Sequence, residues 1–195
     1  MNILSWIQEL NECKEKGMKL FSIPELMNLS GQSIPTVRRT VVRLKEKGVL
    51  RPIYQGLWGY GRDITLEDTF RKIHPDSYIS LETVLGRSNI INSMTPDLTC
   101  ITLNQTRTVQ TKIGTILFHQ IKRCLFFGFD EASHAAFPEK ALLDDIYLKL
   151  KRGLPSVLDD YNLSEINHRK LKNLLIPYPP FVKKFVAAQI IKING

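Results

Sequence analysis

An α+β fold is predicted for this 195-residue chain, on three observations. Between Ile23 and Tyr60 a short apolar helix pattern, a Gly-containing turn, a basic amphipathic helix pattern and a glycine-punctuated hairpin follow one another. From Leu98 to Ile121 the apolar spacing changes to period two, as in strands. From Pro138 onward it is helical again. The first block is assigned to a domain of residues 1–62 and the rest to a mixed α/β domain of residues 63–195. The stretch from Gly61 to Asp76, punctuated by glycines and Pro75, carries the boundary. Hydrophobic residues make up 43% of the chain, enough for packed cores in both.

The first helix carries Ile23, Leu26, Met27 and Leu29 and stops at Gly31, where a residue without Cβ can turn the chain. The second starts near Ile34. Pro35 suits its first turn, because the N–H it lacks would have no partner there. Val37, Val41 and Leu44 recur at i, i+4 and i+7 and form an inward stripe, and Gly48 ends the helix. Val49 to Tyr54 then reads as a strand, Gln55-Gly56 as a turn and Leu57 to Tyr60 as the returning strand. This order is a winged helix-turn-helix.

At about 3.6 residues per turn, Thr36, Thr40, Arg43 and Lys47 share a face with Arg39 beside them, while Arg38 and Lys45 lie on the other side. In a helix-turn-helix the second helix enters the major groove, with its first residues at base edges and neighbouring cations on phosphates. The DNA-binding residues expected are Ser33, Thr36, Arg38, Arg39, Thr40, Arg43 and Lys47, and on the hairpin Arg51, Tyr54 and Arg62. Thr36, Arg39, Thr40 and Arg43 lead that set. A basic amphipathic helix alone is more often a solvated surface. Turn, helix and wing in this order are the context that favours DNA.

Charge is concentrated in two blocks of a chain whose net is +8. Residues 34–62 hold seven Lys or Arg against one Glu, and residues 149–195 hold nine against three acidic residues. Residues 63–148 are acidic, with eight basic against eleven acidic. Two basic blocks on nucleic acid would release counterions and make binding steeply salt-dependent. A membrane surface is the rival partner. No stretch approaches the roughly twenty apolar residues that span a bilayer. Glu9, Glu12 and Glu15 stand where a signal peptide would carry cations. A cytoplasmic protein without membrane association is expected.

Beyond the hairpin, Leu66 to Ile73 reads as a short helix and Tyr78 to Leu85 as another. Leu98 to Leu103, Thr106 to Thr111 and Ile113 to Ile121 read as strands, with Gly114 marking a turn or bulge. Leu125 to Phe127 is a candidate fourth strand. A helix starts at Pro138, with Glu139 favourable in its first turn, and ends around Lys151 to Gly153. Further helices are expected at Ser164 to Leu175 and Pro180 to Ile193, separated by Pro177, Pro179 and Pro180. On the last one, Val182, Phe185, Val186 and Ile190 are placed for packing. That leaves Lys183 and Lys184 outward; with Arg169, Lys170 and Lys172 they are candidate DNA-backbone contacts.

Cys13, Cys100 and Cys124 are few and far apart, as in reduced thiols. Neither they nor His74, His119, His134 and His168 show ligand spacing, so no metal or other cofactor is expected. No GxSxG, P-loop or HExxH is present, and no enzymatic activity is expected. Glu139, Lys140, Asp144 and Asp145 share one helix, yet Glu139 and Asp144 are five residues apart and do not stack. Helix-start and local-pairing roles are expected for Glu139 and Lys140. Phe118, Phe126, Phe127, Phe129 and Tyr147 read as core in preference to a stacking surface for single strands, and Trp6 and Trp58 as core of the first domain.

Three segments, YISLETVLGRSNII at 78–91, LFFGF at 125–129 and above all FPEKALLDDIYL at 137–148, stand behind an N-terminal winged helix. Together they resemble the AbiE antitoxin family of phage-defence abortive-infection systems. The resemblance runs from about Phe21 to about Gly153. It implies a winged helix followed by an α/β domain, repression of the protein's own operon through an inverted repeat, and antagonism of a nucleotidyltransferase-type toxin without a stable complex. Other relatives of this kind are free-standing regulators of defence or mobile-element genes. A protein-interaction module that neutralises a toxin directly is a further alternative.

Overall fold

A computed structural model describes residues 2–92, 95–154 and 161–193, without the side chains of 189–193. Eight α-helices and two sheets make a mixed α+β chain over these residues. It divides into two compact units: residues up to Pro75 together with Gln110–Thr115, and Asp76–Val109 with the chain from Ile116. The division falls at Pro75 and not after Arg62, because the intervening segment carries a helix bound within the first unit.

Two elements precede those the periodicity picks out. Helix α1, Ile3–Glu15, starts on Asn2, whose side chain accepts the Ser5 N–H at 2.8 Å, and buries Trp6 and Leu10. Strand β1 is Leu20–Ser22. Helix α2, Ile23–Ser30, has a capping box: Ser22 Oγ accepts the Glu25 N–H and Glu25 accepts the Ser22 N–H at 2.7 Å. Gly31 ends it at φ 65°, a left-handed conformation that favours glycine.

Helix α3, Ile34–Glu46, buries Val37, Val41 and Leu44 completely or nearly so. Each contributes about 1.5–3 kcal/mol, which outweighs the few tenths lost by placing valine in a helix. Strands β2 (Leu50–Tyr54) and β3 (Leu57–Tyr60) flank the expected turn, and the sheet order is β1-β3-β2, antiparallel throughout. Trp6, Leu10, Phe21, Leu26, Val37, Val41, Leu44 and Leu50 form the core, with Trp58 half-buried against it. A second cluster joins Leu20, Ile53, Leu57 and Ile64 to Ile113. Helix α4, Leu66–Ile73, is capped by Thr65 and Asp68 and tied to α2 by the Lys72–Glu25 ion pair.

The other sheet has the order β4-β5-β7-β6: β4 Ser77–Ile79, β5 Leu98–Thr102, β6 Arg107–Thr111 and β7 Gly114–Gln120, of which Gln110–Thr115 count with the first unit and the rest with the second. Strand β4 runs antiparallel to β5, and β5 parallel to β7. Residues 78–85 are therefore not one helix. Tyr78 and Ile79 pair with Ile101 and Cys100, and helix α5 covers only Leu81–Arg87. Ser77, Tyr78 and Ile79 are all buried, so the strand shows none of the alternation that reveals a half-exposed one. Nor is Leu125–Phe127 a strand: a 3-10 turn spans Arg123–Leu125, and β4 fills the fourth place in the sheet.

Helix α6, Pro138–Lys151, is buried from Glu139 to Leu148. Next, Leu163–Glu165 is a 3-10 turn and helix α7 begins only at His168, because Ile166 is extended and the Asn167 side chain caps the helix at the Lys170 N–H. Helix α8 is Pro180–Ile193.

Candidate nucleic-acid interface

Helix α3 owes its outward face to the way its apolar stripe is spent. With Val37, Val41 and Leu44 inside, Pro35, Arg39, Val42 and Glu46 follow one another at intervals of three and four and oppose that stripe. Thr36 and Arg43 flank them on one side, Arg38 and Lys45 on the other. Arg38, Arg39, Arg43 and Lys47 are all exposed. Their guanidinium and ammonium groups stand on one helix with Glu46 as its only carboxylate.

The hydroxyls are more committed than the cations. Thr40 is half-buried, and its Oγ1 donates to the Thr36 carbonyl at 3.0 Å. Ser33 Oγ and Thr36 Oγ1 lie 3.1 Å apart at the helix start, where Ser33 occupies the cap position without capping through its side chain. Arg39 Nε donates to the Pro35 carbonyl at 3.3 Å, which lays the guanidinium along the helix's first turn.

Val42 is the residue that the basic pattern does not reveal. It is 51% exposed, a branched apolar side chain between Arg38, Arg39 and Arg43. Its one signal in the sequence is its spacing: it is the valine of α3 that falls off the i, i+4, i+7 stripe.

On the hairpin the expected residues separate. Tyr54 is half-buried beside the Gln55-Gly56 turn, whereas Arg51 and Arg62 meet at the opposite end. There Arg51 Nη2 donates to the Arg62 carbonyl at 3.2 Å.

The tail residues separate as well. Arg169, Lys172, Lys183 and Lys184 are exposed, and Val182 and Val186 are buried beneath the last pair. Ile190 lies outside the described side chains. Lys170 is half-buried instead, with Nζ 3.3 Å over the Phe137 ring centroid and 3.7 Å from Glu139 Oε2. Glu139 in turn accepts the Asn167 N–H at 3.1 Å, so it receives the start of α7.

The charged run of α6 proves to be interior. Lys140 and Asp144 form an i,i+4 ion pair with both side chains fully buried. Lys140 Nζ also donates to the hydroxyls of Tyr78 at 2.9 Å and Tyr178 at 2.8 Å. Those hydroxyls donate in turn to Asp144 at 2.8 and 2.7 Å, and Ser80 donates to it at 3.0 Å. The rings of Tyr78, Phe127 and Tyr178 surround the ammonium at 5.0–5.4 Å. Burial pushes the lysine down from its ordinary range while Asp144 pulls the other way. All three ammonium donors have acceptors, so the network satisfies itself and offers nothing to a substrate. At the next turn Tyr161 donates to Asp145, and Lys149 donates to Tyr161 at 2.7 Å. Burial, then Asp145, pushes the Tyr161 hydroxyl up to about 12.

No family model matches the chain, and no curated protein matches it. Among the described residues no helix is long and apolar enough to cross a membrane.

Proposed function

We propose that the first unit is a winged helix-turn-helix and that the protein is a DNA-binding transcriptional repressor acting as antitoxin of a type IV toxin-antitoxin system. One observation carries the DNA reading: α2, the left-handed Gly31, α3 and the β2–β3 hairpin occur in that order, with Arg38, Arg39 and Arg43 exposed around the outward face of α3. Arg39 and Arg43 take base edges or adjacent phosphates, Thr36 stands at the helix start, and Tyr54 approaches the backbone from the wing.

The antitoxin reading is supported by the resemblance of Phe137 to Leu148. In the structure this segment is almost wholly interior, from Glu139 to Leu148. A toxin cannot read a buried motif. The segment therefore acts as a folding signature, which agrees with antagonism that needs no stable complex.

Binding to the region upstream of the protein's own gene, followed by fluorescence anisotropy, tests the first half. Arg39→Ala with Arg43→Ala should abolish site-specific binding in a folded protein, and undiminished affinity would refute it. Rescue of growth when the neighbouring gene's product is expressed tests the second.

A further inference from the structure

The base of the β2–β3 hairpin carries a groove of about 660 Å³ whose walls come from α1 and from the two hairpin ends. That volume lies within the range of small-molecule sites, roughly 300–1,000 Å³. Lys14, Arg51 and Arg62 line it, and no carboxylate does. Ile7, Val49 and Tyr60 supply an apolar wall. Asp63 holds Lys14 at 3.0 Å from outside the lining, so the groove keeps an excess of positive charge.

Arg51 is the telling residue. Its Nη2 is used on the Arg62 carbonyl, but its Nε is buried without a hydrogen-bond partner. A buried donor left unpaired is costly, more so when it is charged. That nitrogen is closed to solvent, so a ligand in the groove would meet Arg51 through the rest of its guanidinium, beside Arg62 and Lys14. Guanidinium forks match phosphate geometry in particular.

We propose that this groove binds an anionic small molecule of nucleotide size, its phosphates held by Arg51, Arg62 and Lys14 and its ring against Ile7 and Val49. Gly48 and Val49 lead from α3 into β2, so such a ligand joins the end of that helix to the base of the hairpin. The site does not depend on the cations of α3, which carry the DNA reading. It takes Arg51 and Arg62 away from the duplex.

Calorimetric titration of the full chain with inorganic pyrophosphate, and separately with magnesium-free ATP, at fixed ionic strength tests this. Saturable binding of one equivalent is expected, tighter for ATP because its base covers the apolar wall. Arg51→Gln and Arg62→Gln should each weaken it about tenfold, the worth of one charge-assisted hydrogen bond. Arg71→Gln, which removes the same charge from exposed α4, should leave it unchanged. Arg62 is exposed, so its variant reports even where Arg51→Gln fails to fold. Absence of saturable binding, or binding that neither arginine variant alters, overturns the assignment. So does a result in which free anions fail to saturate while both variants lower the salt dependence of duplex binding, since the phosphates would then be those of DNA.

Discussion

Lys140 and Asp144 face each other across one turn of α6, and neither side chain has any exposure to solvent. An ion pair so placed survives only if every remaining donor and acceptor is also satisfied, and Tyr78, Tyr178 and Ser80 do this. Asp144→Ala strands the ammonium among three rings and should lower stability in chemical denaturation by about 3–5 kcal/mol. Lys140→Met with Asp144→Leu should recover part of that loss. An Asp144→Ala protein as stable as its parent would show the pair to be dispensable.

Val42 offers a test of readout that rests on the proposed repressor function. A branched apolar group on the outward face of α3 suits the methyl group of thymine. Replacing operator thymines singly by deoxyuridine should reveal a position where affinity falls about fourfold, the worth of one buried methyl at about 0.8 kcal/mol. In Val42→Ala the same replacement should have no effect. Equal losses in both proteins would exclude the contact.

Among the tail cations, Lys170 should behave differently from its neighbours. Lys170→Ala removes the ammonium from over the Phe137 ring and should cost about 0.5–1 kcal/mol, read as a lower Tm. Neutralising Arg169, Lys172, Lys183 and Lys184 together should leave Tm unchanged. If those four meet DNA backbone, every phosphate so freed should reduce the logarithmic salt slope by about one. An unaltered slope assigns them to solubility.

Acid should act on the first unit through Asp63. Hydrogen bonds from Lys14 and Lys19 hold its carboxyl down at about 2, against 3.8 ordinarily. A carboxylate so depressed favours the fold fully above pH 3.8, and the benefit disappears as the pH falls through that value toward 2. Asp63→Asn should flatten this portion of the acid-unfolding curve, and added salt should do the same to the parent, because the pairs are exposed. A curve identical in Asp63→Asn would assign acid sensitivity to other carboxylates.

The helices whose apolar residues keep a clear period are legible in the sequence, and α3 is the best case: Val37, Val41 and Leu44 fix its buried face and Pro35 and Gly48 its ends. Strand β4 is not legible, because Ser77 to Ile79 are buried on both faces and flow into α5 without a breaker. The α6 network is invisible for another reason. Spacing shows that Lys140 and Asp144 are neighbours on a helix, a pattern usual for solvated pairs. That they are interior depends on Tyr78 and Tyr178, which no local window contains. Of the candidate interface, the cations of α3 are legible and Val42 is not; the separation of Arg51 and Arg62 from Tyr54 follows from hairpin geometry alone.

The partners of Lys140 lie 62 residues before it and 38 residues after it. During synthesis the chain therefore presents α6 while Tyr178 is still unmade, with a lysine and an aspartate destined for the interior and only part of their shelter in place. Their hydrogen-bond shell is complete only when the segment leading into α8 has left the ribosome. A chain stopped before Tyr178 would lack one of the two tyrosine hydroxyls that satisfy this pair. Emergence of Tyr178 is thus what completes the shelter of this ion pair.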